Sequence, residues 1–166
     1  MPLLAHLVAF LRTYKNELGK NELLYRDLLG ILLKYKKEVV KQGKESELLA
    51  YNMVINDWVP WSFAVAENIR LLHDMGALDY EEAGEHDLLI KLNGNIDELH
   101  RQYSPKTKDE EKDYERFFKK LKETFGEEGV PEKVPQRWAV YKYRFDTFFN
   151  TLPEESLEKR FDKVSL

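Results

Sequence analysis

The sequence contains no cysteine, which excludes disulfides, zinc–thiolate sites, iron–sulfur clusters and thiol nucleophiles together. Glutamine is also scarce, with only Gln42, Gln102 and Gln136. Set against abundant Lys and Glu, that scarcity predicts a thermophilic source. No apolar run approaches the roughly 18 residues that mark a membrane-spanning helix. The N-terminal MPLLAHLVAFL is apolar, but it lacks a basic flank and a small-residue cleavage site. The expectation is therefore no signal peptide, no membrane partner and a cytoplasmic protein. Catalytic signatures are missing as well: no G-x-S-x-G, P-loop, G-x-G-x-x-G or H-E-x-x-H occurs, so no catalytic, cofactor-binding or metal residue is assigned.

What is present is enough for a folded core. The chain has 166 residues, 43% apolar and 13% aromatic, which fits one domain or one small domain with an extension. The net charge is −4, but it is unevenly spread. Residues 1–50 carry 9 basic and 6 acidic side chains, whereas residues 51–100 carry 2 basic and 10 acidic. The middle of the chain is thus strongly acidic and its flanks are not.

Apolar spacing predicts a mainly helical protein. Leu3, Leu4, Leu7, Val8, Leu11, Tyr14 and Leu18 form a wide stripe ended by Gly19, with His6 beside it as a structural histidine. A second helix is expected from Asn21, as its cap, to about Gln42, and a shorter one from Ser46. Val59-Pro60 marks a turn. A helix over 61–75 buries Trp61, Val65, Ile69 and Leu72 and stops at Gly76. Leu78-Asp79-Tyr80 and Leu88-Leu89-Ile90 read as a hairpin, followed by a short helix over 96–103. In the last third, Thr107 and Glu110 have capping-box spacing. Tyr114, Phe117, Phe118, Leu121 and Phe125 then recur at helical spacing, and a final helix runs from about Gln136 to Asn150.

Taken together, residues 22–92 resemble the winged-helix variant of helix-turn-helix domains, with the closest likeness at Ile69-x-x-Leu72-x-x-Met75-Gly76-Ala77-Leu78. The resemblance implies a winged-helix-like core over 1–104 with an added N-terminal helix and one β-hairpin. Residues 105–166 are then a helical extension, packed on that core or on a partner. Two features depart from the usual form: no short strand is evident between the first two helices, and the Trp58–Trp61 turn is bulky. In winged-helix DNA binders the third helix enters the major groove and the wing touches the backbone. Here the outer face of that helix offers Ala64, Glu67, Asn68, Leu71 and Asp74, with Arg70 its one basic residue, and the wing carries Asp79, Glu81, Glu82, Glu85 and Asp87. Carboxylates repel the phosphates whose neutralisation drives nucleic-acid binding.

The sequence therefore points to non-catalytic macromolecular binding in a regulatory role. Glu67, Asp74, Glu81, Glu82 and Glu85 form the candidate protein-contact surface, and the partner is a protein or a second copy in a homodimer. One alternative is a DNA-binding transcriptional regulator that uses basic helix ends, with Lys34, Lys37, Lys41, Lys44 and Arg70 as candidate nucleic-acid contacts. A second is a metal-assisted nuclease built on His73, His86 and nearby acids, against which a solvated acidic turn is the plainer reading.

Overall fold

A computed structural model describes residues 2–50, 61–84, 87–103, 109–125 and 145–149. In chain order the elements are α1 (Pro2–Leu18), β1 (Glu22–Leu24), α2 (Tyr25–Lys41), α3 (Glu47–Ala50), α4 (Phe63–Asp74), β2 (Leu78–Glu82), β3 (Leu88–Leu92), α5 (Asn95–Gln102) and α6 (Asp109–Phe125). A helical turn at 145–149 follows. The fold is mainly helical, with one small antiparallel sheet of order β1-β3-β2. Among the described residues no helix is long and apolar enough to cross a membrane.

α1 is the central helix. Every residue from Leu3 to Leu11 is buried, because neighbours cover it on several sides: α3, α4, α5 and α6 all contact it. A helix packed all round needs an apolar surface all round, which accounts for the width of its leucine stripe. At its far end Arg12 and Lys15 reach Asp97 in the first turn of α5, at 2.8 and 3.3 Å. Burial pushes the Asp97 carboxyl up, but the hydrogen bonds and charges of Arg12 and Lys15 outweigh it and hold the carboxyl below its ordinary value. The contribution of this clamp is present above the range where a free carboxylate titrates and fades as pH falls through the depressed value.

The chain does not enter α2 at Asn21. Residues 22–24 form β1 instead, placing Glu22 opposite Lys91, Leu23 opposite Ile90 and Leu24 opposite Leu89. Three residues are too few to show an alternating pattern of their own, so only the partner strand reveals them. β2 pairs along the other side of β3, from Leu78 opposite Leu92 to Glu82 opposite Leu88. Leu23, Ile90 and Tyr80 form one cross-strand row facing the core, while β2 exposes Asp79, Glu81 and Glu82. Charges on an outer strand discourage pairing with another chain.

Leu24 stands at the N-cap of α2 and supplies no side-chain cap. The cap comes from the hairpin. Asp87 Oδ1 accepts from the Arg26 N–H at 3.1 Å, and Oδ2 accepts from Arg26 Nε at 3.2 Å. Asp87 also accepts from the Leu88 N–H at 2.9 Å. The residue is buried, so it is not one of the wing's solvent-facing carboxylates, as the sequence pattern suggested. A buried anion at a helix N-terminus satisfies donors that the helix itself leaves open. Asp87→Ala is expected to lower stability by about 2–3 kcal/mol, read from the urea midpoint.

α4 follows its expected pattern closely. Trp61, Val65, Ile69 and Leu72 are buried, and Ser62 Oγ caps the helix by accepting from the Val65 N–H at 3.2 Å. At the other end Gly76 adopts φ +76°, which lets the Ala77 N–H return to the Leu72 carbonyl. Asn93 and Asn95 both donate to the Gly76 carbonyl at 2.9 Å, tying the stop of α4 to the start of α5. In α6, Tyr114, Phe117, Phe118 and Leu121 are buried, so this aromatic face is core and not a base-stacking surface. Of the last expected helix, only 145–149 is described: Phe145 is buried and Phe149 lies against Tyr25 and Tyr80. The Val59-Pro60 turn, Thr107 and the rest of the last expected helix lie outside the described residues.

Candidate functional site

The acidic candidates fall on two contacting elements, α4 and β2. Glu67 and Asp74 are exposed on α4, and Glu81 and Glu82 are exposed on β2. Glu81 is partly engaged by Lys91 across the sheet at 3.2 Å. Glu85 and His86 lie outside the described residues. Arg70, the one basic residue on this side of α4, has its guanidinium 5.3 Å from the centre of the Phe148 ring, a distance suited to a cation–π contact. His73 sits 3.3 Å from Asp74 and 4.5 Å, ring to ring, from Tyr80. Among the described residues no group of three or more His, Asp or Glu is placed to hold a metal ion.

The basic candidates are drawn into a different neighbourhood. α2 and α6 flank a groove of about 440 Å³ whose floor includes Tyr35, Val39 and Phe117. Lys44, Arg116 and Lys120 line it together with Glu38, Glu45 and Asp113. Lys34 pairs with Glu38 at 3.7 Å, Lys120 with the same Glu38 at 3.3 Å, and Lys44 with Asp113 at 3.3 Å. Arg116 also pairs with Asp113. Lys37 and Lys41 are exposed on α2. The structure therefore spreads the candidates: Lys34 and Lys44 pair with acids, and Arg70 is on another helix. Lys34 and Glu38 are four residues apart on α2, so that pair was within reach of sequence spacing; Lys44 and Asp113 are far apart in the chain and meet only because α6 packs beside the end of α2.

A third cluster was not legible as a unit. Glu110, on α6, is 7% exposed. Its Oε2 accepts from the Tyr35 hydroxyl at 2.8 Å and from Ser46 Oγ at 2.7 Å. Its Oε1 accepts from the backbone N–H groups of Glu47 and Leu48. Glu110 thus secures the start of α3; its expected capping-box partner, Thr107, lies outside the described residues. Ser46 Oγ also accepts from the Leu49 N–H at 3.2 Å. Beside this cluster His6, 2% exposed, lies between Tyr114 Oη and Glu47, each at 2.9 Å. One clue was available in the chain: Glu110 stands four residues before Tyr114 and seven before Phe117, in register with the apolar stripe of α6.

Burial, then the charge of Glu110, pushes the hydroxyls of Tyr35 and Tyr114 well above the ordinary tyrosine value. Burial, then Asp27, pushes Tyr14 up to about 12. A raised folded-state value means that the contribution is complete below the ionisation of a free tyrosine and is lost as pH rises through the folded value. Free tyrosine ionises near about pH 10. Helical circular dichroism is therefore expected to hold at pH 9 to 10 and to collapse on approach to about pH 12. Tyrosinate absorbance from Tyr14, Tyr35 and Tyr114 should appear together with that collapse. Early ionisation of the full tyrosine complement with the helices intact would contradict the burial described here.

Comparison with known proteins gives no match: no family model, no curated protein and no solved structure matches this chain.

Proposed function

We propose that the chain is a non-catalytic binding module of winged-helix-like form whose partner is a protein. The element order supports the form. β1 joins the β2–β3 hairpin in one sheet, although it stands before α2 and not between α2 and α3, the unit's first two helices, where the usual winged helix has its short strand. On this reading α4 takes the place of the third helix and β2–β3 the place of the wing.

The observation that carries the choice of partner is electrostatic. Glu67, Asp74, Glu81 and Glu82 are exposed on α4 and β2, the two elements that would meet DNA in a winged-helix reader. Phosphates are repelled by such a surface, and a basic or neutral protein surface is not. Lys34 and Lys44 pair with acids, which weakens the competing reading of a basic helix end as a phosphate site.

Gel retardation of duplex DNA across a salt series tests the proposal. No salt-sensitive retardation is expected at low salt. Covalent cross-linking followed by mass spectrometry should place partner contacts at α4 and β2, and Glu67→Lys with Asp74→Lys should abolish them. Retardation that weakens steeply with salt and disappears in Lys37→Glu/Lys41→Glu would instead establish DNA binding through the exposed end of α2. Light scattering distinguishes a second copy from a different partner, since self-association raises the mass of the purified protein.

A further inference from the structure

Among the described residues, three large apolar side chains stand out of the surface: Val40, Phe63 and Tyr103. Two of them sit beside charges, and the charges are of opposite sign. Val40 is 69% exposed in the last turn of α2, with Lys37 and Lys41 exposed beside it on the same face. The helix dipole accounts for lysines near a C-terminus. It does not account for an exposed valine between them.

Phe63 is 52% exposed at the first position of α4, with its ring edge against Trp61. Glu67, Arg70 and Asp74 follow it at helical spacing, so the four residues form one stripe along α4. Glu67 and Asp74 are exposed, whereas Arg70 is half-buried with its guanidinium over the Phe148 ring. The outermost charge of the stripe is therefore acidic. The end of α2 and the stripe of α4 thus match in kind: an apolar side chain with lysines on one, an apolar side chain with carboxylates on the other. The chain as a whole has the same polarity, with residues 1–50 net basic and residues 51–100 strongly acidic.

We propose that the acidic stripe of α4 receives the end of α2 from a second copy of this chain. The proposal rests on the reading of α4 and β2 as a protein-contact surface and names the partner of that surface. Val40 meets Phe63, and the lysines that flank Val40 reach the carboxylate of Glu67. Glu67 is four residues from Phe63, about 6 Å along the helix, which a lysine side chain beside Val40 spans. Asp74 lies seven residues further on, about 10 Å along the helix. It adds to the attraction at low salt, where the Debye length exceeds about 10 Å. The apolar contact supplies burial, and the charges set the orientation and the rate of encounter.

Each copy carries both stripes. Two copies therefore make the contact twice where a two-fold axis relates them, or add head to tail where the rotation does not close. Both arrangements use the same residues. A contact this small and this polar belongs to the weak, salt-sensitive class of association.

Sedimentation velocity on the full chain at about 0.5 mM protein tests the contact, first in low salt and then in about 0.5 M salt. Self-association is expected in low salt and should weaken by about tenfold or more in high salt. Glu67→Lys/Asp74→Lys and Lys37→Glu/Lys41→Glu should each weaken it to a similar degree. Mixing the two variants should restore it, because the basic stripe of one then meets the acidic α2 end of the other and the native pair remains opposite. Val40→Ser changes no charge and should also weaken association. All of these positions are exposed, so the variants are expected to fold. A protein that stays monomeric in low salt overturns the proposal. So does self-association that neither charge reversal weakens, or reversed variants that stay apart when mixed. Cross-links from α4 and β2 to a different polypeptide, with the purified chain monomeric, would remove the second copy and leave the protein-contact surface standing. Association of the purified chain with no cross-link at α4 or β2 would overturn both.

Discussion

Replacing Glu110 with glutamine is expected to lower the stability of the protein by about 3–5 kcal/mol in urea denaturation. The substitution keeps shape and volume and changes only hydrogen bonding. One amide oxygen can still accept from two of the four donors. The amide nitrogen, with hydrogens of its own, then faces the other two, either the Tyr35 and Ser46 hydroxyls or the Glu47 and Leu48 N–H groups. Hydroxyls can rotate away, but backbone N–H groups cannot. The lowest-energy arrangement therefore keeps the oxygen toward α3 and leaves Tyr35 and Ser46 to find other partners. Each charge-assisted bond lost costs about 1.5–3 kcal/mol, and two are lost. A change below about 1 kcal/mol would mean that Glu110 is solvated in solution, contrary to its burial.

Phe10→Ala should be of similar size, about 3–5 kcal/mol, for a different reason. Phe10 is fully buried, on the central helix, and its ring meets aromatic rings from two other helices. Ring-centre distances are 5.6 Å to Tyr35, 5.2 Å to Tyr114, 6.2 Å to Phe117 and 4.8 Å to Phe118. Removing it deletes the shared partner of α2 and α6. Those neighbours are large, planar and held by their own helices, and Tyr35 is also fixed by its bond to Glu110. They have little freedom to collapse into the vacated space, which puts the expected cost toward the upper part of the range. Phe10→Leu should recover much of the loss, since it refills part of the volume. Equal losses for the two substitutions would argue against a cavity as the cause.

The two results are expected to agree in salt response as well as in size. Both sites are buried, so added salt should leave both costs nearly unchanged. By contrast, the surface pairs Lys34–Glu38 and Lys120–Glu38 should weaken with salt, as exposed pairs do.

Much of the helical framework was legible in the chain. α1, α4 and α6 announce themselves by apolar residues at helical spacing, and the buried residues of α4 and α6 are those the spacing selects. Gly76 marked the end of α4 because a left-handed backbone there suits glycine. β1 was not legible, since Glu22–Leu24 takes its pairing from β3, some 65 residues away in the chain. Asp87 was misread for the same kind of reason. In the sequence it stands beside three glutamates and looks solvated; in the fold its carboxylate is buried at the N-terminus of α2. Of the functional candidates, Glu67, Asp74, Glu81 and Glu82 are exposed as an acidic face requires, whereas Lys34 and Lys44 are paired with acids.

The sequence by itself determined the helical character of the protein, the hairpin and the uneven charge. These follow from local chemistry: side-chain periodicity, turn residues and the count of ionisable groups. Only the tertiary structure decided which charges are spent inside. Glu110 and Asp87 are acids like many others along the chain until α6 meets α3 and the hairpin meets α2. A carboxylate becomes a buried cap when distant backbone donors converge on it, and that convergence depends on how the helices cross.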